Sequence, residues 1–437
     1  MSKPIRIRVS RAFDPPAIEL LEKRWPETRG INRELEIYVE SIIKEVRERG
    51  DKALIEFTNK FDGVELTSSQ LRVTEKEVKD AYGKVDESQI SAIEFAKSRL
   101  EIFEKELLGR INFEVKDVGI EIYSRTSPIR SVGCYVPGGE AAYPSTVIMT
   151  VTPAKVAGVS RIVVSSPPKK GGEVNPLTLV AADLCGADEI YRVGGIQAIA
   201  ALAYGTETIK PVEKIVGPGN RYIVAAKALV SIDVPIDLPA GPSEIAILAD
   251  ESADPRIVAL DMISQAEHDS DAIPILVTTS RNLAERVVDE LEGIVNSAPR
   301  REIVSESLFR KGLVVVCQDI EEAISFINEF ASEHLEVMME DSIDIADKIK
   351  SAGLLLLGRY TPVSASDYCL GTNHVLPTGG FVHVFSGLSV LNFVKRVNTV
   401  QCSKKSLLRI KDNVKVLAEA EGLFNHALAV EERFRVE

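Results

Sequence analysis

The sequence predicts an α/β fold in which strands and helices alternate along mostly parallel sheets. Short aliphatic runs, such as 162–164 and 273–277, are typical of buried strands. Ala-rich stretches of helical length, such as 197–204 and 221–229, lie between runs of this kind. Strands that alternate with helices of this length favour βαβ units, in which the strands run parallel.

Each part of the chain adds to this prediction in order. Residues 32–108 carry apolar side chains at three- and four-residue spacing, which is typical of amphipathic scaffold helices. Strands alternate with helices from about 115 to 357. His383 lies in an alternating run at 381–385, which predicts a strand without a catalytic role. The stretch 403–432 is predicted to form a final long helical segment.

Composition narrows the possible functions. The chain has 437 residues and a formal net charge of −13, and an acidic surface of that size argues against nucleic acid or a membrane surface as a partner. No apolar run reaches the roughly 18 residues that a membrane helix needs. The N-terminus lacks the apolar block of a signal peptide. The five cysteines are scattered and odd in number, which predicts reduced thiols in a cytoplasmic protein.

Three glycine-bearing turns follow predicted strands and could hold a dinucleotide. They are Tyr135-Val-Pro-Gly-Gly139, Val193-Gly-Gly-Ile-Gln197 and Val216-Gly-Pro-Gly-Asn220. Glycine lets the backbone approach a ligand closely, and the N-terminus of the following helix offers free N–H groups to phosphate. No G-x-G-x-x-G motif occurs, so ordinary βα turns remain the alternative interpretation.

All five histidines lie between 268 and 426, which points to chemistry in the second half of the chain. Gln265 and His268 are three residues apart near the end of a predicted helix, so they share a face and could bind one metal ion. Glu333 and His334 are adjacent and need a turn or a shared cleft to act together in general acid–base catalysis. For both pairs, solvated polar residues near a helix end remain the alternative.

Two further segments carry polar residues. The stretch 360–380, which includes Asp367 and His374, is a long loop with little amphipathic pattern, and such loops are usually functional. Glu421 and His426 are five residues apart, or about 140° around a regular helix. Spacing alone therefore does not pair them unless the helix bends or ends near Gly422.

Taken together, the wording and order of these motifs resemble the histidinol dehydrogenase family. The matching segments span 135–426, about two thirds of the chain. They are Tyr135-Val-Pro-Gly-Gly139, Gly217-Pro-Gly-Asn220, Ala240-Gly-Pro-Ser-Glu244, Gln265-Ala-Glu-His268, Glu333-His334, Asp367-Tyr368, Asn373-His-Val-Leu-Pro-Thr-Gly-Gly380, Ser386-Gly-Leu-Ser-Val390 and Ala418-Glu-Ala-Glu-Gly422.

The resemblance implies a zinc-dependent oxidoreductase of the final steps of histidine biosynthesis. Such an enzyme oxidises L-histidinol to L-histidine by four electrons, through the aldehyde, with two NAD⁺ and one water. Glu333 and His334 would be the catalytic pair. The implied zinc ligands are Gln265, His268, Asp367 and His426. The implied NAD contacts are Tyr135, Gln197 and Asn220. The implied substrate contacts are Ser243, Gln265, His268, His334, Asp367, His374, Glu421 and His426.

The resemblance also implies a homodimer with shared active sites, in which a C-terminal segment reaches into the partner's site. The expected architecture has two incomplete Rossmann-like domains, a helical N-terminal region and a C-terminal helical arm. The expected boundaries are 1–20 for an N-terminal arm, 21–133 with 243–386 for the first Rossmann-like domain (zinc and catalytic residues), 134–242 for the second (NAD site), and 387–437 for the C-terminal arm.

Three other function classes remain as alternatives. A thiol-dependent aldehyde dehydrogenase would need an activated cysteine, and Cys134, Cys369 and Cys402 have no persuasive base beside them in sequence. A zinc hydrolase is disfavoured because neither H-E-x-x-H nor H-x-x-E-H occurs. A non-catalytic, metal-dependent binding protein would fit if the glycine turns are only turns.

Overall fold

A computed structural model of the chain describes residues 7–29, 33–138, 142–238 and 241–435. Gly139 and Ala240, which belong to two of the motifs above, lie outside these residues, as do the start of the predicted N-terminal arm and the last residues of the C-terminal arm. The strands are β1 (Arg8–Arg11), β2 (Phe113–Asp117), β3 (Ile120–Pro128), β4 (Ser131–Tyr135), β5 (Arg161–Ser165), β6 (Glu189–Tyr191), β7 (Ile215–Val216), β8 (Glu244–Ala249), β9 (Ile273–Thr278), β10 (Leu313–Val316), β11 (His334–Met338), β12 (Leu354–Leu357) and β13 (Val394–Cys402).

The helices alternate with these strands over most of the chain. They are α1 (Pro15–Arg29), α2 (Arg33–Arg49), α3 (Asp51–Asp62), α4 (Ser68–Leu71), α5 (Glu75–Tyr82), α6 (Glu87–Arg110), α7 (Pro144–Ala157), α8 (Pro176–Cys185), α9 (Gly195–Tyr204), α10 (Arg221–Val230), α11 (Pro255–Ala266), α12 (Arg281–Val295), α13 (Arg301–Arg310), α14 (Ile320–Phe330), α15 (Ser342–Ala346), α16 (Val363–Ser366), α17 (Lys404–Ala420) and α18 (Phe424–Glu431), with 3₁₀ turns at Phe381–His383, Val390–Phe393 and Glu432–Phe434.

The larger sheet is parallel throughout, in the order β1-β10-β9-β8-β11-β12. Its central strands are aliphatic on both faces, as expected where helices cover a sheet from both sides. α11 and α12 pack on one face, and α14 packs on the other. α11 begins where sequence rules place it, because Asp254 accepts hydrogen bonds from the N–H groups of Arg256 and Ile257, and Pro255 occupies the first turn.

The smaller sheet is also parallel, in the order β6-β5-β4-β7. A core of aliphatic side chains from α2, α3, α9 and α10 packs on this sheet. The N-terminal scaffold helices thus pack on the sheet whose turns carry the glycines.

The chain forms two compact units, and both parallel sheets fall in the first. The first unit is residues 1–104 with 129–393, and the second is 105–128 with 394–437. The second unit contains an antiparallel sheet in the order β13-β3-β2, joined at β2–β3 by a turn with positive φ at Val118 and Gly119, together with α17 and α18. The boundaries predicted for the two Rossmann-like domains and the two arms stay a prediction.

The predicted α/β class is confirmed, and two local predictions are wrong. The stretch 403–432 is not one helix, because α17 ends at Ala420 and Gly422 takes a φ of 73° before α18 begins. Residues 381–385 do not form a strand, because the positive φ angles of Gly379 and Gly380 turn the chain into a 3₁₀ turn. None of the described helices combines the length and apolarity needed to cross a bilayer.

Candidate active site

The predicted catalytic pair lies at the amino edge of the larger sheet. Glu333 directly precedes β11, whose first residue is His334, and Glu244 is the first residue of the neighbouring strand β8. All three side chains are buried. The turn before β11 departs from ordinary backbone, because Ala331 ends α14 in the left-handed region with a φ of 50°. The structure therefore supplies the turn that an adjacent Glu–His pair requires.

The imidazole of His334 lies between two carboxylates. Its Nδ1 is 3.6 Å from Oε2 of Glu333, and its Nε2 is 3.7 Å from Oδ1 of Asp367. Both distances exceed hydrogen-bond length, and neither nitrogen has a hydrogen-bond partner among the described residues. Both ring nitrogens are therefore available to a third group that enters between these side chains.

Burial and charge act in opposite directions on this pair. Burial lowers the pKa of His334, but the Glu333 carboxylate, followed by Asp367, outweighs it and raises that pKa to about 9. Burial also raises the pKa of Glu333, and the neighbouring His334 offsets part of this effect. The two carboxylates thus stabilise the imidazolium, the state that His334 reaches when it accepts a proton.

Asp367 reaches His334 from the end of the short helix α16. The first N–H of that helix, at Val363, donates to Oε1 of Glu336 on β11, with an N–O distance of 2.5 Å. The Asp367 carbonyl oxygen accepts a hydrogen bond from Nδ1 of His374 at 2.8 Å. In the neutral His374 ring this bond leaves Nε2 as the nitrogen with a free lone pair.

Gln265 and His268 lie at the end of α11, although His268 is two residues past the last helical residue. Gln265 is buried, and its Oε1 has no hydrogen-bond partner among the described residues. His268 is exposed on the following turn. Burial lowers the pKa of His374, and the charges of Asp367, His334 and His268 also act on it.

The donor chemistry of the predicted ligands in the first unit fits zinc. Asp367 offers a carboxylate oxygen and His268 an imidazole nitrogen, which are ordinary zinc donors, and Gln265 adds an orphaned, neutral amide oxygen. Within the described ranges, no three His, Cys, Asp or Glu side chains gather as a metal-binding group. The predicted zinc set includes Gln265, which is not one of these residue types, and its fourth member, His426, belongs to the second unit. We therefore do not expect such a group within the first unit alone.

The loop at 371–380 is fixed to its surroundings by polar side chains. Asn373 is buried, and its Nδ2 donates to the carbonyl oxygen of Met149 at 2.7 Å. That carbonyl belongs to α7, where Pro153 has no N–H to offer it. Asn373 therefore supplies the hydrogen bond that the proline removes.

Ser243, a predicted substrate contact, is half-buried just before β8.

The predicted NAD residues gather at the opposite, carboxyl edge of the smaller sheet. Tyr135 ends β4, and its hydroxyl oxygen accepts the N–H of Gly195 at 3.3 Å. A Cβ on Gly217, whose φ is 119°, would lie 2.1 Å from the Tyr135 carbonyl oxygen, so this turn requires glycine. All three glycine turns therefore follow strands of one sheet, and two of them meet at Tyr135.

Gln197 and Asn220 occupy different environments at that edge. Gln197 is fully buried, and neither of its amide atoms has a hydrogen-bond partner within the described ranges. Asn220 is exposed and caps α10, accepting hydrogen bonds from the N–H groups of Tyr222 and Ile223. Buried, unpaired amide groups beside a helix N-terminus are suited to hold a polar ligand.

A buried ion pair, absent from the sequence predictions, holds the Gly217 turn. Lys227 on α10 pairs with Asp237, and both side chains are buried. Oδ2 of Asp237 accepts the N–H of Gly217 at 2.7 Å, while Nζ of Lys227 donates to the Gly217 carbonyl oxygen at 2.8 Å. A lysine within an otherwise Ala-rich helix was the signal in the sequence that could have revealed it.

The remaining predicted residues belong to the second unit. Glu421 directly follows α17 and His426 lies in α18, and both side chains are exposed in the single chain. The helix does end beside Gly422, which is the condition under which the two residues could act together.

The three buried cysteines do not favour a thiol mechanism. Burial raises the pKa of Cys134 to about 12, of Cys185 to about 11 and of Cys317 to about 12, which makes these thiols poor nucleophiles. Cys369 is half-buried and Cys402 is exposed.

Comparisons with known proteins concern the chain as a whole. The family model for histidinol dehydrogenase matches residues 27–434. The histidinol dehydrogenase of Methanocaldococcus jannaschii is 48% identical over 398 residues, which cover 91% of this chain and 92% of that protein. The histidinol dehydrogenase of Caldanaerobacter subterraneus subsp. tengcongensis is 49% identical, over 92% of this chain and 93% of its own length.

A solved structure gives the same result. The crystal structure of histidinol dehydrogenase from Elizabethkingia anophelis superposes with a TM-score of 0.93 at 37% identity, covering 100% of this chain and 99% of that one. A match over nearly the whole length, in both sequence and fold, leaves one conclusion: the chain belongs to the histidinol dehydrogenase family, whose members are oxidoreductases of histidine biosynthesis.

Proposed function

We propose that this protein oxidises L-histidinol to L-histidine through the aldehyde, with two NAD⁺, one water and a zinc ion. The observation that carries the proposal is the buried His334 ring, whose two unpaired nitrogens lie between Glu333 and Asp367. The neutral form of this ring, which predominates above about pH 9, can accept a proton, and the flanking carboxylates stabilise the charge that results.

Gln265, His268 and Asp367 of one chain would hold the zinc, together with a histidine contributed by the C-terminal segment. Zinc, when bound, supplies a Lewis-acidic template that fixes the amino and imidazole nitrogens of histidinol. Tyr135, Gln197 and Asn220 would line the site of NAD, which supplies hydride-accepting chemistry when bound.

The residues of this chain then manage protons in two stages. In the first, His334 accepts the proton of the substrate hydroxyl as the adjacent C–H bond loses its hydride, which leaves the aldehyde. In the second, Glu333 removes a proton from the water that adds to the aldehyde carbon. The hydrate then loses a second hydride and a proton, which gives the carboxylic acid. Ser243 and His374 would contact the substrate.

The direct test is the stoichiometry of NADH formed from L-histidinol, with and without a chelator. We expect two NADH for each histidinol consumed, loss of activity on chelation, and recovery when zinc is returned. One NADH per histidinol, or activity that is indifferent to the chelator, would contradict the mechanism.

We also propose a homodimer in which Glu421 of the partner subunit and His426 of the partner subunit complete each site. Support comes from the second unit, where α17 and α18 expose apolar side chains that a monomer would leave in water: Leu408, Val416, Leu417, Phe424 and Leu428.

Mixing two inactive variants tests shared sites. In a mixed dimer of His334→Asn and His426→Ala chains, one site would carry both changes and the other would carry neither. We expect about a quarter of wild-type activity from a random mixture, since half of the dimers would be mixed with one intact site each. A mixture without activity would show that each site is built from a single chain.

A further inference from the structure

Glu244 is a buried carboxylate beside the catalytic pair, and the mechanism above gives it no task. It is the first residue of β8, in register one position before Ile245, which pairs with His334. The residue is only 2% exposed. A carboxylate buried so deeply needs hydrogen-bond donors, so the groups that supply them indicate what it holds in place.

Glu244 and Glu333 bind each other's backbone. The N–H of Glu244 donates to Oε2 of Glu333 at 2.8 Å. In return, the N–H of Glu333 donates to Oε2 of Glu244 at 3.3 Å. The Glu333 oxygen bound in this way is the same one that lies 3.6 Å from Nδ1 of His334. The position of that oxygen is therefore fixed from the β8 side.

The second oxygen of Glu244 reaches the loop that carries His374. Its Oε1 accepts the N–H of Gly379 at 2.8 Å. A neighbouring bond joins the same two segments, since the N–H of Gly241 donates to Oγ1 of Thr378 at 2.6 Å. One carboxylate thus connects β8, the residue before β11, and the loop at 378–379.

We propose that Glu244 is a positioning residue: its carboxylate holds the Glu333 backbone against the start of β8, and so keeps the Glu333 carboxylate on the Glu244 N–H, in the orientation needed to activate water during aldehyde oxidation. The inference rests on the proposed function, because it assigns Glu244 to one of the two stages of that reaction.

The chemistry of the side chain explains why glutamate is needed here. The two oxygens of a carboxylate accept from two separate N–H groups, here those of Glu333 and Gly379. An amide has only one accepting oxygen, so Glu244→Gln turns an N–H group toward one of these backbone donors. The reciprocal arrangement with Glu333 is then lost or distorted, although size and burial are preserved.

The experiment compares the two stages separately, with L-histidinol and with L-histidinal as starting substrates, in wild type and Glu244→Gln. We expect aldehyde oxidation to slow on the order of a hundredfold, the cost of misplacing a catalytic group by about 1 Å. Alcohol oxidation and the KM for histidinol should change little by comparison. Free aldehyde, caught by a carbonyl trap, should then accumulate and bring the NADH yield below two.

Thr378→Val provides the matched control, because it removes the neighbouring bond between the same two segments and leaves the Glu244–Glu333 bonds in place. We expect this control to change both stages by a similar factor. Glu244→Gln should also add no further loss to the aldehyde stage in a Glu333→Gln background, since the two residues would act as a unit.

The possible outcomes separate the two proposals. Equal slowing of both stages by Glu244→Gln, or additive losses with Glu333→Gln, would overturn the role of Glu244 and leave the proposed function standing. If wild type makes no NADH from either substrate, both proposals fall. If Glu244→Gln does not fold, Glu244→Asp, which is too short to serve both donors, should show the same selective loss. If neither variant folds, Glu244 is a folding residue and the inference is wrong.

Discussion

The two parallel sheets of the first unit use opposite edges. The smaller sheet places its glycine turns at the carboxyl ends of β4, β6 and β7, where ligands of open α/β sheets usually bind. The larger sheet places Glu244, Glu333 and His334 at the amino ends of β8 and β11. The same architecture thus presents two different sets of chemical groups, one on each sheet.

Helix direction accounts for the difference. At the carboxyl edge of the smaller sheet, α9 and α10 begin, and their free N–H groups favour an anion such as a pyrophosphate. At the amino edge of the larger sheet, α11 ends beside Gln265, where the free carbonyl groups favour a cation. Glycine-lined backbone suits the first role, and packed acidic and imidazole side chains suit the second.

The largest expected effect comes from removing the base at the amino edge. His334→Asn keeps a polar side chain of similar size but cannot accept the substrate proton. We expect kcat to fall by about a hundred- to ten-thousand-fold, while zinc content measured on the purified protein stays near that of wild type. A variant that loses its zinc together with its activity would make His334 a metal ligand instead of a base.

At the carboxyl edge of the smaller sheet, the buried pair of Lys227 and Asp237 can be tested by removing one partner. Lys227→Met leaves Asp237 buried without its cation, so we expect the free energy of unfolding to fall by about 3–5 kcal/mol. Urea unfolding provides the measurement. The double variant Lys227→Met/Asp237→Asn should recover part of the loss, because it removes the uncompensated charge. If the single variant is as stable as wild type, the pair does not hold the Gly217 turn.

A pH-dependent effect is expected from Glu336, in the middle of β11. Burial, and then the nearby Asp261, raise the pKa of Glu336 to about 8, so the folded state favours its protonated form. The resulting stability is complete below about pH 4.5 and is lost as the pH rises to about 8.

Glu336→Gln cannot ionise, so its free energy of unfolding should stay level while that of wild type falls between about pH 5 and about pH 8. The difference between the two should grow over this range by a few kcal/mol, as an order of magnitude. Urea midpoints across this range test the prediction, with Glu340→Gln, an exposed residue just after β11, as the control. A gap that does not vary with pH would show that Glu336 is ionised throughout.

The smallest expected effect comes from backbone strain in the glycine turns. Gly217→Ala combines a positive φ with a Cβ placed against the Tyr135 carbonyl. We expect its free energy of unfolding to fall by about 1–3 kcal/mol and its KM for NAD⁺ to rise. Gly63→Ala is the control, because Gly63 has a φ of 69° and no heavy atom within 4 Å of an added Cβ. Equal losses in the two variants would mean that the close approach to Tyr135 contributes nothing.

Sequence reasoning recovered what local patterns encode. The alternation of strands and helices predicted the α/β class, and β5, β9, α9 and α10 lie where the aliphatic and Ala-rich runs place them. The residues of the candidate site came from motif wording, because spacing alone did not pair Glu333 with His334 or Asp367 with His374. The turn at Ala331 brings the first pair together, and because its positive φ is taken by an alanine, no glycine in the sequence predicts this turn.

The hydrogen bonds that support the site were missed because they join distant parts of the chain. The bonds between Glu244 and Glu333 span 89 residues, and the bond from Gly379 to Glu244 spans 135. No local periodicity records such a pairing. The available signal was weaker: a charged residue within or at the start of an aliphatic strand, as with Glu244 and Glu336. Such residues are rarely buried without a specific partner.

The hydrogen bond between Asn373 and the carbonyl freed by Pro153 also has a consequence for how the protein folds. It joins residues 224 positions apart, so forming that bond costs more chain entropy than forming α7 or pairing the strands of the smaller sheet. We therefore expect the loop that carries His374 to become ordered late, after α7 has formed and presented its open carbonyl. Refolding would then restore helical structure before it restores a competent active site. The open carbonyl that Pro153 leaves in α7 would be the point at which the loop at 371–380 attaches last.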